Sequence, residues 1–142
     1  MTLNARIAVI AIPLAVAGCL QGQVRMRARL WENTVTASGR TVTHNACITP
    51  AQEESSKASV ASQRESIEKV FAKSGVCKLK EFTVVGTTRT ELIVCGANTI
   101  RNSTVFHGDS FETTITSTTA DTVKSSSIKG RRLGDCPAGD RE

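Results

Sequence analysis

The residues with the most chemical potential in this chain are its five cysteines and two histidines. Cys19 follows Val16-Ala17-Gly18, and small residues before a cysteine suit thiol acylation after peptide cleavage. The other four, Cys47, Cys77, Cys95 and Cys136, form an even set and suit two disulfides. None of them lies in a Cys-x-x-Cys pair, and neither His44 nor His107 has metal-type spacing to them. No metal site and no cofactor are therefore expected. His107-Gly108-Asp109-Ser110 contains the residue types of a hydrolase. Four consecutive residues in a tight turn cannot form the required relay of nucleophile, base and orienter. Gly-Asp is by itself a turn pair. Glu53-Glu54 are adjacent and would point to different faces of a helix. His44 sits among Thr and Asn and reads as a surface histidine. The chain is not expected to be an enzyme.

Cys19 is read through what precedes it. The apolar run Ile7–Leu14 is too short to span a bilayer, which takes about 20 residues. It fits the apolar region of a signal peptide. A small-small-Cys sequence after such a run is a lipobox. Residues 1–18 are then the leader, Cys19 is an acylated N-terminus, and residues 19–25 form a short tether. Ala15-Val16-Ala17 also satisfies the rule for ordinary secretory cleavage, which would leave a soluble chain. An uncleaved N-terminal helix is the third reading. Leu20 follows Cys19 without an acidic residue, which favours the outer membrane. Fully extended, Leu20-Gln21-Gly22-Gln23 reach about 14 Å, so the domain would lie close to the bilayer.

Composition sets the class. The chain has 142 residues, enough for one domain and one core after removal of the leader. Four Phe, one Trp and no Tyr make that core thin, so cross-links are useful. The net charge of +5 is mild and suits proximity to anionic head groups. Export and the lack of basic-aromatic interleaving argue against nucleic acid.

The elements that position these residues are mostly strands. Leu30–Thr36 and Arg40–Ile48 flank a turn at Ser38-Gly39. Thr49-Pro50-Ala51-Gln52 then carries a capping box with Pro at the first helical position. The pattern predicts one helix to Lys73 with Gly75 as its stop. Val60, Ile67, Val70 and Phe71 form its apolar stripe, and Ser55-Ser56-Lys57 is a weak stretch where it frays. Leu79–Val85, Thr88–Cys95, Ile100–Phe106, Phe111–Thr118 and Val123–Arg131 read as a run of strands separated by turns. Phe111, Thr113 and Ile115 alternate with a Thr- and Ser-rich face that reads as wet.

Four cysteines allow three pairings. Cys77 and Cys95 are nearly symmetric about Gly86-Thr87, so a hairpin sets them side by side. Alternating strand directions return Cys136 to the end of the sheet that holds Cys47. The expected bonds are Cys77–Cys95 and Cys47–Cys136, and a swap such as Cys47–Cys77 stays open.

Four segments carry a resemblance. Arg29-Leu30-Trp31-Glu32, Cys47-Ile48-Thr49-Pro50, His107-Gly108-Asp109-Ser110-Phe111 and Gly130-Arg131-Arg132-Leu133-Gly134-Asp135-Cys136 resemble the DUF3617 family of bacterial envelope proteins. The likeness covers about residues 26–137, leaving 138–142 as a tail. Arg29 stands where the family usually has Gly. The family's function is unknown, so the resemblance implies fold, compartment and disulfides but no catalytic residues.

The fold expected is α+β: a curved antiparallel meander of about six or seven strands, with one long helix inserted after the second. The function expected is that of a periplasm-facing lipoprotein held to the membrane by its lipid anchor. Its domain would bind an envelope protein or a small apolar ligand. The groove residues would be Trp31, Val60, Ile67, Val70 and Phe71, with a core anchor as the plainer role for Trp31. Lys78, Lys80, Lys129, Arg131 and Arg132 are candidates to face head groups. A structural or stress-related lipoprotein without a ligand is the other reading, and an unrecognised periplasmic enzyme the third.

Overall fold

A computed structural model of the chain describes residues 29–137. The expected leader, the expected tether with Cys19, and the expected tail lie outside the described residues. The fold is mostly β. Strands β1 (Arg29–Ala37) and β2 (Arg40–Ile48) form a hairpin. Helices α1 (Pro50–Ser56) and α2 (Val60–Ser74) follow. Then come β3 (Cys77–Val85), β4 (Thr88–Cys95), β5 (Asn98–Phe106), β6 (Ser110–Thr119) and β7 (Thr122–Gly134).

All seven strands join one open antiparallel sheet in the order β2-β1-β7-β6-β5-β4-β3. The meander expected from the turn spacing covers β3 to β7. The first hairpin is added to its far side by the β1–β7 pairing, which spans nearly the whole chain. The helices therefore connect one sheet edge, β2, to the other, β3.

The single long helix is corrected to two short ones. The start is as expected: Gln52 N–H donates to Thr49 Oγ1 at 3.3 Å, and Thr49 N–H donates to Gln52 Oε1 at 2.8 Å. The break falls after Ser55 and Ser56, whose hydroxyls donate back to the carbonyls of Ala51 and Glu53. Such local bonds compete with helix continuation. Ser59 then caps α2 by accepting from Ser62 N–H, and Gln63 Nε2 ties the joint by donating to the Ala58 carbonyl at 2.8 Å. Gly75 ends α2 at φ 67°, a conformation natural to glycine.

The expected stripe is corrected as well. Ile67 and Phe71 pack against Leu79, Phe82 and Ile93, but Val60 and Val70 are exposed. With only β3 lying closely against α2, a narrow i, i+4 stripe is all the helix can bury. A bulge at Lys80 lets β3 turn both Leu79 and Phe82 inward.

Both expected disulfides are present. Cys77 and Cys95 are register partners on β3 and β4, with Cα atoms 4.1 Å apart. Cys47 and Cys136 have Cα atoms 5.6 Å apart and close a loop with a sequence separation of 89.

Candidate functional site

Three places on the described domain gather side chains with chemical potential. The first is the end of the sheet where β1 begins. Strand directions bring the starts of β1 and β6 together with the ends of β2 and β7. Trp31 is fully buried there, with its ring centroid 5.7 Å from that of Phe111. Phe106 stands 6.1 Å from Phe111 on the other side. Phe111 lies over Gly130, where any Cβ would overlap the ring. The hairpin His107–Ser110 is closed by His107 N–H donating to the Ser110 carbonyl at 2.8 Å. Asp109 Oδ2 meets Arg132 Nη2 at 2.8 Å, and the Asp109 carbonyl accepts from Arg132 N–H at 2.9 Å. Asp109 is thus bound to β7, and the hydrolase-like residue types serve a turn.

The basic cluster of β7 is matched by carboxylates. Arg131 Nε donates to Glu32 Oε1 at 2.7 Å. That bond, and then the charge of Glu32, raise the Arg131 pKa above its ordinary value. Lys129 meets Glu112 at 3.3 Å, and Arg29 meets Asp135 at 3.3 Å. Lys78 and Lys80 stand exposed on the β3 edge, a placement that also discourages edge-to-edge pairing.

The second place is the helix-bearing face of the sheet. Alternation puts Trp31, Asn33, Val35, Ile128, Ile115, Asn102, Thr104, Glu91 and Ile93 on it. Glu91 is buried between Arg89 Nε at 3.2 Å and Asn102 Nδ2 at 3.1 Å. Arg89 also lies 5.9 Å from the centre of the Phe106 ring. Thr104 and Thr113 share a hydroxyl hydrogen bond of 2.9 Å. This polar strip separates the Trp31 cluster from the Leu79 cluster. The Oδ1 atoms of Asn33 and Asn102 are buried and have no hydrogen-bond partner among the described residues. Val35, Ile115 and Ile128 are half-buried, and the described helices lie closely only against β3.

The third place is a depression of about 290 Å³ between α2 and β3, bounded by Phe71, Ala72, Cys77 and Leu79, with Glu68 and Lys78 at its edge. It contains one of the five residues expected to line a groove. Trp31 belongs to the other cluster, Ile67 packs beneath α2, and Val60 and Val70 face outward. The five do not line one groove. His44 is exposed on β2. Among the described residues, no three His, Cys, Asp or Glu side chains gather as a metal-ligand set.

Arg89, Glu91, Asn102 and Asn33 were not singled out from sequence. The available signal was in β4, where Arg89 and Glu91 share the phase of buried Ile93. Charges at core-phase positions mark a buried polar strip.

The segments Arg29–Glu32, Cys47–Pro50, His107–Phe111 and Gly130–Cys136 are dispersed in sequence and converge at one end of the sheet. A family model described as a protein of unknown function, DUF3617, matches residues 26–136. The chain belongs to the DUF3617 family. No curated protein and no solved structure matches it. In this DUF3617 domain the convergent segments supply the aromatic cluster, the glycine beneath it, the Asp109–Arg132 clasp and the Cys47–Cys136 bond. The Cys47–Cys136 bond ties the first hairpin to the segment after β7, the aromatic cluster over Gly130 packs β1 against β6 and β7, and the Asp109–Arg132 clasp ties the β5–β6 turn to β7.

Proposed function

We propose that this DUF3617 protein is a lipoprotein of the bacterial envelope whose domain binds, without catalysis, a small apolar ligand or an apolar segment of an envelope protein. In this reading residues 1–18 are removed, Cys19 is acylated, and the domain faces the periplasm, with the outer membrane favoured. The lipobox ending in Gly18-Cys19 supports the anchor. The four other cysteines support export, because their two disulfides persist in an oxidising compartment.

One observation carries the binding reading. The sheet face bearing half-buried Val35, Ile115 and Ile128 has no described helix lying closely over it, and the buried Oδ1 atoms of Asn33 and Asn102 in its phase have no hydrogen-bond partner among the described residues. Buried acceptors without donors are costly, at about 1–3 kcal/mol each. A ligand with an apolar body and a donor group would relieve that cost by drawing either amide out of its buried rotamer. Lining of this kind, apolar with a few oriented polar atoms, is typical of small-molecule sites.

Gentle extraction of the full chain from its native membrane, followed by native mass spectrometry, tests the reading. The expected result is a retained apolar species that is lost in an Ile115→Asp variant. A ligand-free protein that also cross-links to no envelope partner through photoreactive groups at Val35 or Ile128 would refute it.

The convergent end of the sheet favours a second reading, in which the domain is a purely structural lipoprotein. Its charged side chains are engaged with one another there.

A further inference from the structure

The opposite face of the sheet carries a feature that ordinary solvation does not require. Thr41, Thr36, Ser127, Thr114, Ser103, Thr90 and Thr83 are successive register partners across all seven strands. They form one unbroken row of hydroxyls at right angles to the strands. Six inter-strand spacings of about 4.8 Å make a strip on the order of 29 Å long. No charged or apolar residue interrupts it. The neighbouring row, by contrast, holds Lys129, Glu112, Val105 and Val85.

The charges beside the row are internally matched. Lys129 pairs with Glu112 at 3.3 Å on one side, and Arg101 with Glu81 at 3.8 Å on the other. The strip therefore presents no net charge to a ligand. Thr36 and Thr41 share a hydrogen bond of 3.1 Å, as do Thr34 and Thr43 in the adjacent row, which fixes their rotamers. An open depression of about 220 Å³ sits on the row, lined by Thr36, Ser38, Gly39, Thr114, Ser125 and Ser127 among others.

We propose that this face binds a linear, uncharged polysaccharide laid along the hydroxyl row. Each hydroxyl both donates and accepts, which matches the hydroxyls and ring oxygens of sugars. The strand spacing is close to the length one pyranose ring adds to an extended chain, so successive strands meet successive sugars. The depression holds one ring, and the open strip lets the chain continue on either side. The proposal is independent of the apolar face.

Backbone amide NMR of the full chain, disulfides intact and in detergent micelles, tests it with β-1,4-linked glucose and N-acetylglucosamine hexasaccharides as probes. Shifts are expected along the hydroxyl row and around the depression. Thr36→Val and Thr114→Val keep β-branched residues in the strands, and each weakens binding about three- to tenfold, as loss of one hydrogen bond implies. Thr118→Val, two rows away on the same face, leaves it unchanged. The proposal is overturned by no shift at millimolar sugar, by shifts confined to the helix-bearing face, by equal weakening in Thr118→Val, or by binding only to anionic polysaccharides.

Discussion

Gly130 shows how one residue's absence of a side chain organises a site. Phe111 occupies the space a Cβ would need, and Trp31 closes against Phe111 from β1. Gly130→Ala should destabilise the fold by about 1–3 kcal/mol, as overpacking does in dense cores. The shift in urea midpoint measures it, and an unchanged midpoint contradicts the packing described. Trp31 as a core anchor was legible, since a lone Trp on a first strand has few other places to go. Gly130 was not, because a glycine's partner lies across strands. The burial of Glu91 was hidden for the same reason: its partner Asn102 comes from β5 and its Arg89 partner reads locally as a surface charge. The groove set failed because Trp31 and the helix serve different clusters.

Among the elements, strands and turns were the most legible, since short β-branched runs with Gly-containing breaks announce themselves locally. The capping box at Thr49 was visible for the same reason. The break between α1 and α2 was only hinted at by Ser55-Ser56-Lys57, because back-bonding serines weaken a helix without the certainty of a proline. The β1–β7 pairing was not legible, as no local pattern encodes a register across the chain. Helix α2 packs through a narrow stripe, so its surface pairs matter. The hydrogen bond from Lys69, and then its charge, hold the Glu65 carboxyl below the ordinary carboxylate range. A folded-state pKa lowered in this way contributes stability above the ordinary range and loses it as pH falls through the lowered value. Glu65→Gln should therefore lower the melting temperature slightly at neutral pH and have no effect in acid. A difference that persists in acid would assign the effect to something other than the carboxylate.

For the whole molecule, the two disulfides stand at opposite sheet edges and do unequal work. In the chain-entropy model the Cys47–Cys136 bond contributes about 4–5 kcal/mol and the shorter Cys77–Cys95 loop about 3 kcal/mol. Paired Cys→Ser variants measured by denaturant unfolding should keep that order, and the reverse order would contradict it. Both bonds were legible because hairpin symmetry and strand direction constrain where cysteines can meet. With those four paired, the proposed acylation falls to Cys19, and the proposed anchor rests on that residue. Intact-mass analysis of the protein from its native membrane tests this most directly. The expected species is a chain beginning at Cys19, heavier by its acyl groups and lighter by the four hydrogens of two disulfides. A chain beginning at Gly18 or Met1 with an unmodified Cys19 would contradict it.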